Sequence, residues 1–251
     1  MKFIGIIPAR YASTRFEGKP LADLGGKPVI QHVYERVSQV LDSVVVATDD
    51  RRIYEAVVSF GGKAAMTATT HRSGTDRCLE AYNNIGSDAD VVINIQGDEP
   101  FVYPDQIRQI MECFADPDTD IATLALPYPT NGTYEGLENP NKPKVVIGKG
   151  NYALMFSRSV IPFLRGVRRE EWPSHADYLT HIGMYAFRIG ALREITKLPP
   201  SPLEMAESLE QLRWLQNGYS IKVALTDRQT VGIDTPADLE AARLLLQTCD
   251  K

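Results

Sequence analysis

Three short apolar runs constrain this chain more than any other feature: Phe3-Ile4-Gly5-Ile6-Ile7, Val44-Val45-Val46-Ala47 and Val91-Val92-Ile93-Asn94-Ile95. They lack polar alternation and are rich in β-branched residues, which marks strands buried on both faces of a parallel sheet. Between the first two, Val29, Val33, Val37 and Val40 recur at helical spacing beside Ile30 and Leu41, and Pro28 suits the first turn of that helix. Another helix is expected from about Pro104 to Phe114, burying Ile107, Ile110, Met111 and Phe114. Such alternation predicts an α/β fold, a doubly wound and mostly parallel sheet with right-handed crossovers.

The pattern breaks after Pro127, where Pro129, Asn131, Gly132, Asn139, Pro140, Asn141 and Pro143 crowd a long loop. Val145-Val146-Ile147 and Tyr152-Ala153-Leu154-Met155-Phe156 then flank Gly148-Lys149-Gly150-Asn151, which reads as a β-hairpin. We expect one domain over 1–251, with an insertion over about 129–190 that covers a ligand site and supplies a subunit contact. A homodimer is expected because the hairpin would otherwise leave an apolar patch in water. Helical spacing returns over Leu203–Leu215, with Leu209, Leu212 and Leu215 as its buried stripe. The last helix is expected to start at Thr235-Pro236-Ala237-Asp238, with Thr235 as cap and Asp238 completing the box.

Bulk properties exclude several classes. A net charge of −5 over 251 residues argues against nucleic acid or an anionic membrane as the main partner. No apolar run approaches the ~20 residues needed to span a bilayer, and Met1-Lys2-Phe3 leads straight into a strand. Cys78, Cys113 and Cys249 are odd in number and far apart, so they read as reduced thiols of a cytoplasmic protein.

The positive charge is local. Pro8-Ala9-Arg10-Tyr11-Ala12-Ser13-Thr14-Arg15-Phe16-Glu17-Gly18-Lys19-Pro20-Leu21 follows the first strand and packs Arg10, Arg15 and Lys19 among small residues. Guanidinium forks and an ammonium at the carboxyl end of a buried strand suit a polyphosphate, in preference to a merely solvated loop. Arg72 and Arg77 form a second basic locus. The loop is not a Walker A motif, since Lys19 and Lys27 each precede proline, and no Gly-x-Gly-x-x-Gly occurs.

Gln96-Gly97-Asp98-Glu99-Pro100 follows the third apolar run, so Asp98 is placed at the same sheet end and suits Mg²⁺, which prefers oxygen ligands. Glu99 reads as structural, and Asp88-Ala89-Asp90 as a solvated edge because it precedes its strand. Asp234 could simply cap the last helix, but Thr235 already fills that role. Ser73-Gly74-Thr75-Asp76-Arg77 reads as a helix N-terminus, with Ser73 or Thr75 as cap, able to bind anions. His71 alone reads as structural, and His175, Asp177 and His181 lack zinc-ligand spacing. No Gly-x-Ser-x-Gly elbow points to a covalent nucleophile.

Together these segments resemble the sugar-activating cytidylyltransferases, most closely the CMP-KDO synthetase (3-deoxy-manno-octulosonate cytidylyltransferase) family. The likeness runs from the first loop through His71–Arg77, Gln96–Pro100, His181-Ile182-Gly183-Met184-Tyr185 and Leu209-Glu210-Gln211-Leu212-Arg213 to Gly232-Ile233-Asp234-Thr235-Pro236. One departure is Phe16-Glu17, where that family usually shows Leu-Pro. The resemblance implies CMP transfer from CTP to KDO, supplying activated sugar for lipopolysaccharide, by in-line attack of the anomeric hydroxyl on the α-phosphorus. It implies that Arg10, Arg15 and Lys19 hold the CTP phosphates, and that Asp98 and Asp234 share Mg²⁺. Ser73 and Arg77 would lie near cytosine and ribose, joined by Ala9 and Gln96, while His181, Tyr185, Glu210 and Gln211 would form the sugar site. Another acidic sugar, such as a sialic acid or an amino-substituted KDO, and a silent nucleotide-binding module are the alternatives.

Overall fold

Residues 1–12, 15–71 and 73–249 are described by a computed structural model; Ser13, Thr14 and Arg72 of the motifs above lie outside the described residues. The chain divides into two compact units, Met1–Arg108 with Thr230–Lys251, and Gln109–Gln229.

In the first unit, β1 (Phe3–Ala9) is the strand on which the others are laid. A two-residue ladder pairs β2 (Asp23–Leu24) with β3 (Lys27–Pro28). The main sheet continues with β4 (Val44–Thr48), β5 (Ala64–Met66) and β6 (Val91–Asn94) in the order β6-β1-β4-β5, every pairing parallel. Pro8 does not end β1; it pairs with Ala47, and the strand runs on to Ala9. Helices α1 (Val29–Val37), α2 (Arg51–Ser59) and α3 (Gly74–Asn84) link the strands. Val29, Ile30, Val33 and Val37 are fully buried, as the spacing predicts, although α1 stops before Val40. Asp50 starts α2 by accepting the Arg52 N–H at 2.9 Å, and Ser73 starts α3 by accepting the Asp76 N–H at 3.1 Å. The chain winds outward from β1 to β4 and β5, then returns to place β6 on the other side of β1. That reversal makes the carboxyl ends of β1 and β6 a topological switch point, where open α/β sheets bind ligands.

Helix α4 (Pro104–Glu112) carries the chain into the second unit and ends in a 3₁₀ turn at Cys113–Ala115. There β7 (Ile121–Pro127), β8 (Lys144–Ile147), β9 (Ala153–Ser157), β10 (Leu179–Arg188) and β11 (Ile221–Leu225) form a mixed set. β7 lies between antiparallel β10 and parallel β11, while β8 and β9 form the expected hairpin. Short helices α5 (Tyr134–Leu137), α6 (Trp172–His175), α7 (Ile189–Ile195), α8 (Pro202–Glu207) and α9 (Gln211–Gln216) complete this unit.

The single helix expected over Leu203–Leu215 is therefore two helices, broken where Ser208 takes φ 50. Arg158 supplies the reason: its Nε donates to the Glu207 carbonyl at 2.6 Å and its Nη2 to the Ser208 carbonyl at 3.2 Å, satisfying backbone oxygens at the break. The buried stripe shifts accordingly to Leu209, Gln211, Leu212 and Trp214, with Leu215 only half-buried. Finally the chain returns to the first unit and closes it with the helix Pro236–Cys249.

Candidate active site

The switch point of the first unit opens into a cleft of about 430 Å³. Ala9, Arg10, Arg15 and Lys19 line it from the first loop, Gln96 and Asp98 from the segment after β6, and Asp234 from the start of the closing helix. Two glycines allow this closeness. A Cβ on Gly97 would stand 2.7 Å from the Pro8 carbonyl oxygen, so only glycine lets the segment after β6 run beside β1. Gly18, at φ 71, turns the chain directly into the 3₁₀ turn Lys19–Leu21 that aims Lys19 inward.

Lys19 is the hub. Its Nζ lies 2.5 Å from Asp98 Oδ2 and 3.2 Å from Asp234 Oδ1, with only 11% of the side chain exposed. Arg15 adds a contact of 3.2 Å to Asp234 Oδ2. The aspartates are brought together by backbone: the N–H of buried Ile233 donates to the Asp98 carbonyl at 2.9 Å. Asp234 is not the helix cap. Thr235 Oγ1 accepts the Asp238 N–H at 3.2 Å, and Asp238 Oδ2 accepts the N–H groups of Asp234 and Thr235 at 3.0 and 2.8 Å. The expected capping pattern holds, and it leaves the Asp234 carboxylate to the cleft.

Two carboxylates that share one ammonium can also share one cation. A pair of hard oxygen donors beside exposed guanidinium groups suits Mg²⁺, which takes one or two carboxylates and completes its shell with phosphates and water.

Arg77, expected near cytosine and ribose, is held by protein partners. It borders the cleft, but its guanidinium is 1% exposed and committed to Asp49 Oδ2 at 2.8 Å and Thr67 Oγ1 at 2.5 Å. The side chain thus ties α3 to the segments after β4 and β5, because burial of a cation requires such partners. Ser73 caps α3, and its neighbour Gly74 lines the cleft. His71 pairs with Glu80, and Asp88 with Lys2 at the sheet edge, in keeping with structural roles for both. Glu99 is buried beside Asp98; burial first, and then the Asp98 charge, push its pKa up to about 7.

The residues expected to meet the sugar lie in the second unit. His181 and Tyr185 are four positions apart on β10, a separation of about 13 Å along an unbroken strand. A bulge contracts it: the register with β7 shifts between Ile182 and Tyr185, and the two ring centroids stand 5.3 Å apart. Thr123 on β7 holds the bulge. Its Oγ1 lies 2.8 Å from the Met184 carbonyl, 3.2 Å from the Ile182 carbonyl and 3.0 Å from His181 Nε2. A hydroxyl has one proton to give and two carbonyls to give it to, so the histidine must donate through Nε2–H, leaving Nδ1 as the ring's acceptor. The imidazole is enclosed on most sides, and burial pushes its pKa down to about 3, so it stays neutral.

Tyr185 packs edge-on against Trp214 at 5.1 Å, and burial, assisted by the Glu210 charge, raises its pKa well above the ordinary value. Glu210 accepts from Arg213 Nη2 at 2.7 Å. Gln211 lies inside the stripe, not off it, and its Nε2 is buried without a hydrogen-bond partner. The structure thus brings His181 and Tyr185 together within the field of Glu210, and buries both Gln211 and Trp214 on α9. Sequence reasoning missed Thr123 and Trp214. Gly183, inside an otherwise apolar strand, was the available signal for the bulge.

A parallel sheet that gathers permanent cations and paired carboxylates at its switch point defines a nucleotide-handling α/β protein. The chain belongs to the cytidylyltransferase family, which it matches over residues 4–222. It is 62% identical to the 3-deoxy-manno-octulosonate cytidylyltransferase of Parabacteroides distasonis over 98% of both chains. It is 54% identical to that of Porphyromonas gingivalis, covering 98% of this chain and 96% of the relative. Among solved structures it resembles a CMP:2-keto-3-deoxy-manno-octonic acid synthetase complexed with CTP, with a TM-score of 0.90, 43% identity and 99% of each chain covered. The fold alone is shared with a cytidylyltransferase from Leptospira borgpetersenii, at a TM-score of 0.62 and 15% identity over 99% of this chain and 87% of the other.

Proposed function

We propose that this protein transfers CMP from CTP to the anomeric hydroxyl of 3-deoxy-D-manno-octulosonate, releasing pyrophosphate. The observation that carries the reading is the convergence of Lys19, Asp98 and Asp234 at the switch point, with Arg10 and Arg15 at the rim of the same cleft. The near-identity in length and the high identity to named KDO cytidylyltransferases support it. In this reading the anomeric oxygen attacks the α-phosphorus, the bond to the bridging oxygen breaks, and pyrophosphate leaves as the hydroxyl proton passes to solvent.

Arg10, Arg15 and Lys19 hold the triphosphate and stabilise the charge that builds on the departing pyrophosphate. Asp98 and Asp234 would hold Mg²⁺, which supplies further neutralisation of phosphate charge and acidifies the attacking hydroxyl. Neutral His181 offers the sugar a hydrogen-bond acceptor at Nδ1, and Tyr185, Glu210 and Gln211 supply further polar contacts. Product CMP-KDO would enter lipopolysaccharide synthesis, and a cytoplasmic location fits a reaction that consumes CTP.

The same reading includes a homodimer built on the β8–β9 hairpin, where Leu154 is 64% exposed. No helix among the described residues is long and apolar enough to cross a membrane. A panel of nucleoside triphosphates and acidic sugars, followed by pyrophosphate release, tests the proposal. CTP with KDO is expected to exceed every other pair by a wide margin. Comparable turnover with ATP or GTP, or a preference for a sialic acid, overturns it.

A further inference from the structure

We propose that Arg52, seated on Tyr11 and clamped by Asp50, is a positioning residue that holds the phosphate loop ready for CTP; the proposal rests on the function read above. The loop between Arg10 and Lys19 has a defined neck. The Gly18 N–H donates to the Tyr11 carbonyl at 2.9 Å, closing the excursion just after Arg10 and just before Lys19. At that neck the Tyr11 ring lies against the bare Cα of Gly18, where any Cβ would come within 3.1 Å of ring atoms. The Arg52 guanidinium sits 3.3 Å from the centroid of the same ring.

Arg52 is itself fixed. Asp50 takes it in a fork, Oδ1 to Nε at 2.9 Å and Oδ2 to Nη2 at 2.7 Å, while the same Oδ1 caps α2 through the Arg52 N–H. Glu17, inside the loop, adds a second carboxylate to the field around this guanidinium. Asp50 in turn stands two residues beyond β4, its N–H donating to Thr48 Oγ1 at 3.2 Å. The brace therefore fastens the loop after β1 to the loop after the neighbouring strand.

Its consequence is preorganisation. Arg10 adjoins the tethered Tyr11, Lys19 adjoins the tethered Gly18, and Arg15 lies on the loop between them. A loop already held in its binding shape loses less freedom when triphosphate arrives, so the brace acts on affinity and not on the chemical step. None of its three side chains needs to touch the nucleotide.

Arg52→Met keeps the apolar stem and removes both the stacked charge and its clamp. The KM for CTP is expected to rise roughly threefold to tenfold, the scale of one cation–π contact and its ion pair, with kcat within about twofold. Tyr11→Leu should match it, and the double variant should be little worse than either single change, because both remove one contact. Tyr11→Phe retains the ring and should keep the parental KM. Arg51→Met breaks the exposed pair with Glu55 on the same helix and serves as control.

A second readout needs no turnover: trypsin cleavage after Arg15, followed by mass spectrometry, should be faster in Arg52→Met than in the parent or in Arg51→Met. An unchanged CTP KM, additive losses in the double variant, or an equal KM rise in the Arg51→Met control overturns the proposal. If the parent protein releases no pyrophosphate from CTP and KDO, the functional reading falls instead. Trypsin then still decides the brace, faster cleavage supporting it and unchanged cleavage refuting it.

Discussion

Thr123→Val tests how the bulge of β10 is held. Valine has nearly the shape of threonine, so the change removes a hydroxyl and leaves little cavity. Thr123 is fully buried and serves the Met184 carbonyl at 2.8 Å and the His181 Nε2–H at 3.0 Å. Both would lose their partner inside the protein. Each buried group left unsatisfied costs about 1–3 kcal/mol, and the extra buried methyl returns about 0.8 kcal/mol. The net loss is on the order of 1–5 kcal/mol, a fall of roughly 2–20 °C in Tm for a chain of this size. Thr123→Ser keeps the hydroxyl and should lose much less. Freed from its anchor, His181 no longer presents one fixed ring edge, so the KM for KDO should rise by about tenfold, the worth of one hydrogen bond. Thermal melts at pH 7 and KDO titrations at saturating CTP give both numbers. A Thr123→Val protein that melts with the parent refutes the assignment of Thr123 as the keystone of the bulge. Lower stability with an unchanged KDO KM would separate the bulge from sugar recognition.

Further expectations concern the cleft and the surface. Asp98→Asn and Asp234→Asn should each abolish most turnover, and the double variant should be little worse, because groups acting through one ion are not additive. CTP binding, measured separately by calorimetry, should survive in all three, and additive losses in kcat would show that the aspartates do not share a cation. Glu99 has a pKa raised to about 7, so the stability it contributes is complete below about pH 4.5 and is lost as pH rises through 7. Glu99→Gln removes that loss and should stabilise the protein at pH 8 by about 3 kcal/mol, with no gain at pH 4. Equal melting-temperature profiles against pH for the two proteins would contradict burial of the charge. Light scattering at micromolar concentration should give a dimer for the parent and a shift toward monomer for Leu154→Glu; a monomeric parent would remove the hairpin from any subunit interface.

The parts of this molecule written in local pattern were legible before any coordinates. Ile4, Ile6, Ile7, Val44 to Ala47 and Val91 to Ile93 have no polar face to show to water, and they lie in the buried parallel strands. Thr235 and Asp238 carry a capping signature in the order of their side chains, and the helix starts there. Lys19 and Asp98 were legible from their positions after buried strands, while Asp234 was linked to them through the family likeness.

What stayed hidden depends on partners distant in the chain. Arg77 looks like a free cation in sequence, and only Asp49 and Thr67 reveal that it is spoken for. The break at Ser208 requires Arg158, some fifty residues earlier, to take the carbonyls of the broken turn. The bulge that joins His181 to Tyr185 needs a hydroxyl from another strand. Helical spacing put Gln211 on the outside because it assumed one continuous helix, and splitting the helix rotated it inward.

The cleft is also assembled across an unusual length of chain. Lys19 and Asp234 meet although 215 positions separate them, and the whole second unit is translated in the interval. At about 5–20 residues per second a ribosome takes roughly 10–40 s to make that stretch. Until then Lys19 and Asp98 can be in place with half of the carboxylate pair still unmade. On the proposed function, a nascent chain is silent until Asp234, just ahead of the last helix, has been made.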